Sequence, residues 1–154
     1  MKTGDANFRF PVLGFTPDRE IWGFPDINTL TSCGPRTLKE NMQGDMELVD
    51  IDGRRWLVRS VRPVGRARSL IPWLLSALLS TPQSRIEHEL DQLEPITLGE
   101  AQARVCVSLR AFPQDWGAED GGDPILEQRV AEVGATRSIA EIHDVLGLDS
   151  LMAY

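Results

Sequence analysis

Two hairpin patterns open the chain and capped helical patterns close it. Phe8, Phe10, Val12, Leu13 and Phe15 are aromatic or β-favouring, Thr16-Pro17-Asp18-Arg19 supplies turn chemistry, and Ile21-Trp22-Gly23-Phe24 returns. Residues 8–24 therefore predict an opening hairpin. Pro11 has no amide hydrogen to give to a ladder, which places the start of that strand at a sheet edge. A stronger hairpin pattern follows, in which Met46 to Ile51 and Arg55 to Val61 flank Asp52-Gly53, a pair favoured in tight turns with positive φ. A two-residue loop would pair Ile51 with Arg54, Asp50 with Arg55 and Val49 with Trp56. Val49, Ile51, Trp56 and Val58 would then share one face, with Met46, Leu48 and Leu57 on the other. Apolar side chains on both faces place this pair near the sheet centre. Arg85 to Leu93 alternates more loosely and predicts one further strand.

Helices are marked by their ends. Asp26 can cap a short turn through Ile27 and Leu30, and Pro35 suits the first position of a second short helix carrying Leu38 and Met42 and ended by Gly44. Ser69 can cap a helix through Leu79 whose apolar residues run nearly all the way round, so Leu70 to Leu79 should be buried in the core or against a partner. Thr97 and Glu100 form a capping box ahead of Leu98, Ala101, Val105, Leu109 and Phe112, and Pro113 stops that helix. Ser138 and Glu141 form a second box before Ile142, Val145 and Leu146, with Gly147 as the stop. Between these two helices, Asp115 to Asp123 reads as an acidic loop containing glycine. Residues 124–133 suit a helix from Asp123-Pro124 or a short strand from Arg129 to Val133.

These elements predict an α+β class: a mostly antiparallel sheet built from two hairpins and a further strand, with helices packed against it. A chain of 154 residues buries roughly 68–70% of its unfolded surface, so one domain over residues 1–154 is expected. Cys33 and Cys106 make no disulfide framework. The sequence opens without a basic-then-apolar leader, and Leu70 to Leu79 is shorter than the roughly 20 residues a membrane helix needs. Both point to a cytoplasmic protein without membrane association.

Charge is unevenly placed. Residues 1–80 hold 11 bases and 9 acids, whereas residues 81–154 hold 5 bases and 14 acids, within a net charge of −7. Arg54, Arg55, Arg59, Arg62, Arg66 and Arg68 crowd one stretch that contains no acid. Phosphate binding would use such donors. The acidic balance and nearby carboxylates, Asp50 opposite Arg55 among them, favour internal pairing instead, and no nucleic acid is expected as a partner. From Asp115 to Glu127 the chain holds Asp115, Glu119, Asp120, Asp123 and Glu127 with no base among them. These five are the candidate partner-binding residues, since Gly117, Gly121 and Gly122 leave the loop exposed and adaptable.

No catalytic or metal constellation emerges, and no cofactor is expected. Asp45, Glu47, Asp50 and Asp52 fail the calcium-loop pattern, because Arg54 and Arg55 stand at its fifth and sixth places counted from Asp50. His88 lies between Glu87 and Glu89, but on a strand it faces away from both. His143, inside the last helix, reads as partly exposed. Cys33 precedes Gly34-Pro35, a position that could be a helix start where a thiol pKa falls. That makes a small cysteine-dependent hydrolase or transferase one alternative function. A homo-oligomeric accessory protein, dimerising through Leu70 to Leu79, is another. Cys106 reads as packing on the capped helix.

The run Val12-Leu13-Gly14-Phe15-Thr16-Pro17-Asp18-Arg19-Glu20-Ile21-Trp22-Gly23-Phe24, then Glu47-Leu48-Val49-Asp50-Ile51-Asp52-Gly53-Arg54-Arg55-Trp56, then a capped helix, gives a layout that resembles the small acidic immunity proteins of bacterial toxin systems. The resemblance implies a bacterial, non-catalytic protein-binding module that neutralises one cognate toxin. Its partner would be a protein, and the acidic segment suits a basic toxin domain.

Overall fold

The computed structural model of the chain describes residues 1–66 and 84–148. Within them, strands β1 (Val12–Phe15), β2 (Ile21–Phe24), β3 (Ser32–Cys33), β4 (Glu47–Val49), β5 (Arg55–Arg66) and β6 (Ser84–Leu93) form one antiparallel sheet in the order β2-β1-β4-β5-β6-β3. The helices are α1 (Ile27–Leu30), α2 (Pro35–Lys39), α3 (Leu98–Ala111), α4 (Pro124–Gly134) and α5 (Ile139–Leu146). The α+β class and the antiparallel sheet with packed helices are as the pattern predicts. The Ser69 cap and Leu70 to Leu79 lie outside the described residues.

The opening hairpin forms, but Pro11 plays a different part from the one expected. β1 begins at Val12, and it lies between β2 and β4 rather than at the edge. The proline stands before the ladder, so its missing donor is never needed there. Phe8 and Phe10 stay outside the strand and pack as aromatic cover on the core around Trp56, with the Phe8 and Trp56 ring centroids 4.5 Å apart.

The second hairpin is shifted by one residue from its predicted register. Val49 pairs with Arg55, Leu48 with Trp56 and Glu47 with Leu57. The loop therefore has three residues between Asp50 and Arg54, closed by the Gly53 amide donating to the Asp50 carbonyl at 3.0 Å. Gly53 alone in this loop has positive φ, at 79°. This is a turn followed by a left-handed residue, whose extra position shifts the pairing by one. A one-residue shift moves side chains between faces. Leu48, Trp56 and Val58 consequently share one face with Met46, while Val49 joins Leu13 and Phe15 on the other.

Each face has its own core. Leu13, Phe15 and Val49 meet Val105 and Leu109 of α3, Leu126 and Val133 of α4, and Ile142 and Leu146 of α5. The opposite face packs Val12, Phe24, Leu48, Trp56, Val58 and Leu90 beneath Ala6 and Leu30. Helix α5 approaches β2 closely because Gly23 has no side chain. A Cβ there would come within 2.3 Å of Leu148 Cβ and 2.8 Å of His143 Nε2. That contact explains why His143 is buried rather than partly exposed, as its helical position suggested.

Helix starts follow the local chemistry. Thr97 and Glu100 make a reciprocal capping box on α3, and Ser138 Oγ accepts from the Glu141 amide on α5. Glu141 reaches the Arg137 amide instead of that of Ser138, so the second box is not reciprocal. Asp26 caps α1, and Asp123 caps α4 with Pro124 at its first position. That cap resolves residues 124–133 as helix.

Gly53 gives a direct test of the hairpin. Besides its positive φ, a Cβ there would lie 2.3 Å from the Ile96 carbonyl oxygen, while its own carbonyl accepts from the Ile96 amide at 2.9 Å. Gly53→Val should lower stability by more than about 1 kcal/mol in denaturant melts, because a branched side chain is strained in the left-handed region. An unchanged transition would overturn the turn geometry.

Candidate functional site

The acidic stretch is divided by the fold into two parts. Asp123 and Glu127 work inside the structure. Asp123 accepts from the Ile125 amide as the α4 cap and from the Glu119 amide across the loop, both at 2.9 Å. These two amides, Glu119 first, hold its carboxyl below the usual carboxylate range. Glu127, in the first turn of α4, pairs with Arg110 of α3 at 2.8 Å, and that hydrogen bond lowers its pKa. Asp115, Glu119 and Asp120 are exposed, and none of them makes an ion pair among the described residues. Trp116 and Ala118 are buried, so the loop is anchored to the helical core at those two positions.

Four arginines from Arg54 to Arg62 are engaged. Arg54 pairs with Asp50, Arg55 with Glu47, Arg59 with Asp91 and Arg62 with Glu87. The register shift is what gives Asp50 to Arg54 rather than to Arg55. Arg104 of α3 also reaches Glu47 at 2.7 Å and lies 4.4 Å over the Phe15 ring. Basic charge in Arg54, Arg55, Arg59 and Arg62 is matched locally, whereas Asp115, Glu119 and Asp120 are among the acids without an ion pair in the described residues.

Beside that loop opens a cavity of about 610 Å³. It lies among the β1–β2 turn, α1, α2, the segment after α2, and the end of α3 with the turn at Pro113–Trp116. This volume is in the ordinary range for a binding site. Ile21, Trp22, Met42, Phe112 and Trp116 give it apolar walls, and Glu20, Arg36 and Asp115 bring charge. Of the residues expected from sequence to bind a partner, Asp115 lines it. Glu20, Thr37 and Gln43 carried no signal in the pattern of the chain.

Gln43 is 3% exposed, and its orientation is set from behind. Its Oε1 lies 2.6 Å from His88 Nε2, so that ring nitrogen donates. The other ring nitrogen, Nδ1, then accepts from the Thr3 hydroxyl at 3.0 Å, and Thr3 Oγ1 accepts from the His88 amide at 2.9 Å. This arrangement needs a neutral imidazole. The Gln43 amide nitrogen is left without a protein partner among the described residues, in a side chain that lines the cavity. Thr37, also in the wall, has a buried hydroxyl with no partner among those residues.

Cys33 lies in the same wall but not at a helix start. It belongs to β3, where it pairs with Ser84 of β6, and burial pushes its thiol pKa up. The helix that follows begins only at Pro35, after Gly34. Desolvation works against the thiolate that nucleophilic chemistry needs. Cys106 sits half-buried on α3 against the helical core. Among the described residues, no three His, Cys, Asp or Glu side chains converge as a metal site, and no helix is long and apolar enough to cross a membrane.

Burial lowers the His88 pKa to about 4. The unfolded chain, with an ordinary histidine near 6.5, binds this proton more readily than the fold does. Stability from His88 is therefore present above about pH 6.5 and is lost as pH falls toward 4, by roughly 3 kcal/mol in all. Imidazole NMR signals of His88 should hold the neutral form down to about pH 5. A midpoint near the ordinary histidine value with the fold intact would overturn the neutral assignment. In comparisons with known proteins, the chain matches no protein-family model, no curated protein and no solved structure.

Proposed function

We propose that this protein is a non-catalytic protein-binding module, an immunity-type inhibitor that neutralises a cognate bacterial toxin through a basic surface of that toxin. The observation that carries the reading is the contrast in charge pairing. Arg54, Arg55, Arg59, Arg62 and Arg110 are spent on internal carboxylates, whereas Asp115, Glu119 and Asp120 stand exposed on a pinned loop without ion pairs among the described residues. Surface charge left in this way steers a basic partner toward one side of the molecule. A cytoplasmic site of action suits such an inhibitor.

A cysteine-dependent hydrolase or transferase is the competing reading, favoured by the presence of Cys33 in the cavity wall. Its raised thiol pKa weighs against it. Dimerisation through Leu70 to Leu79 concerns a segment outside the described residues.

The test uses the partner recovered by copurification from the native host. Charge reversal of Asp115, Glu119 and Asp120 to lysine should slow association about tenfold or more at low salt, with a smaller difference at high salt. Asp123 is left intact because it caps α4, and its reversal would confound binding with stability. Stopped-flow kinetics at two ionic strengths make the measurement. Equal association rates for both proteins would remove the loop from the interface.

A further inference from the structure

The cavity beside the acidic loop is lined by two kinds of polar group with capacity left for a ligand. In the wall, the Gln43 amide nitrogen and the Thr37 hydroxyl have no partner within the described structure. Leaving the buried Thr37 hydroxyl unpaired costs on the order of 1–3 kcal/mol, whereas the Gln43 nitrogen has no protein partner among the described residues but opens to the cavity. The Gln43 nitrogen can only donate, and it is kept in that role by the Thr3–His88 chain behind it. What it requires is an acceptor, such as a carbonyl oxygen. Charge favours a different group. Glu20 contributes a half-buried carboxylate, which accepts from the Trp22 indole at 3.4 Å, and Asp115 contributes a carboxylate free of ion pairs among the described residues. Arg36 is the opposing charge, but it is mostly exposed and bonded to Glu40 at 3.2 Å. The net preference is for a cation, and Trp22 and Trp116 provide aromatic surface for its apolar stem.

A polypeptide segment combines a neutral carbonyl acceptor with a cation on a long stem. We propose that this cavity receives a basic segment of the partner, with a main-chain carbonyl on Gln43 and Thr37 and an arginine or lysine side chain facing Glu20 and Asp115. The proposal rests on the protein-binding reading above and names where that partner is anchored. A free carboxylate ligand would satisfy the Gln43 donor equally well, but it would meet the two acidic side chains at unfavourable cost.

The test needs no knowledge of the partner. The probes are acetyl-Ala-Arg-Ala amide and its glutamate counterpart, added at millimolar concentration to the full chain, with NMR of the Gln43 side-chain amide and the Trp22 and Trp116 indoles as the readout. The arginine peptide should shift these signals in a saturable way, and the glutamate peptide should leave them in place. Asp115→Asn and Glu20→Gln should each weaken the arginine peptide several-fold. Thr37→Val should also weaken it, while leaving the melting temperature unchanged or raised, because the hydroxyl it removes has no partner to lose. A fall in melting temperature with Thr37→Val would show that the hydroxyl is already used by the fold and would overturn its part. Absence of any shift, or equal responses to the two peptides, would overturn the site as a whole. If partner association depends on the loop charges while the peptides leave the cavity signals unmoved, the cavity proposal fails and the protein-binding reading stands. If the arginine peptide binds but loop reversal, which includes Asp115, leaves partner association unchanged, the cavity is not where the partner is anchored, and both the loop interface and this proposal fail.

Discussion

A carboxylate sealed from water, that of Asp50, governs how the sheet is assembled. A buried charge without compensation costs several kcal/mol, so its position is tolerable only where donors surround it. Asp50 Oδ1 accepts from the amides of Asp52 and Arg54 at 3.0 and 3.1 Å. Oδ2 accepts from Arg54 Nε at 2.9 Å and from the Arg9 amide at 3.3 Å, and Arg54 Nη2 lies 2.7 Å from it. Those donors can converge only when the loop between β4 and β5 has its three-residue form. The pairing of Leu48 with Trp56 then follows, and with it the division of apolar side chains between the two cores. Arg9 is drawn in from a distant part of the chain, which brings Phe8 onto Trp56. One satisfied charge thus fixes a loop length, a register and the course of the segment leading into β1.

The same logic operates at His88, with a polar network instead of an ion pair. Thr3, His88 and Gln43 come from three separate parts of the chain and satisfy one another in series. Their order of donation has a direction, and it ends at an amide nitrogen in a cavity wall. A fully satisfied buried network rigidifies its members. Here one end of it is left open, and that end is where the protein can engage something outside itself.

Features set by neighbouring residues were legible in the sequence. The caps at Asp26, Thr97 and Ser138, the proline at the start of α2 and the glycine stop at Gly147 all depend on contacts within a few positions. Features set by side chains reaching across the fold were not. The Asp52-Gly53 pair announces a turn but does not count its residues, and Asp50, which decides the count, reads in sequence as a partner for Arg55 across a two-residue loop. Gly34-Pro35 correctly signals a helix start, yet Cys33 lies outside it because a two-residue pairing with β6 captures that position first. The cavity was invisible for a similar reason. Glu20, Thr37, Gln43 and Asp115 belong to four separate stretches and share no spacing. The acidic loop itself was legible, but not its partition, since pairing of Glu127 with Arg110 is a contact between two helices.

The anchoring of that loop changes the thermodynamics of any association it enters. A glycine-containing segment that had to order on contact would lose conformational entropy, about 0.5–1.5 kcal/mol for each immobilised side chain and more for backbone. Here Trp116 and Ala118 are already buried, and Asp123 ties the loop amide of Glu119 to the start of α4. Much of the ordering is completed when the chain folds. Binding through this surface should therefore behave as docking of a preformed shape, with little backbone movement between the free and bound states. Its heat-capacity change should reflect the contact area alone, and should fall short of the change seen when a disordered segment folds as it binds.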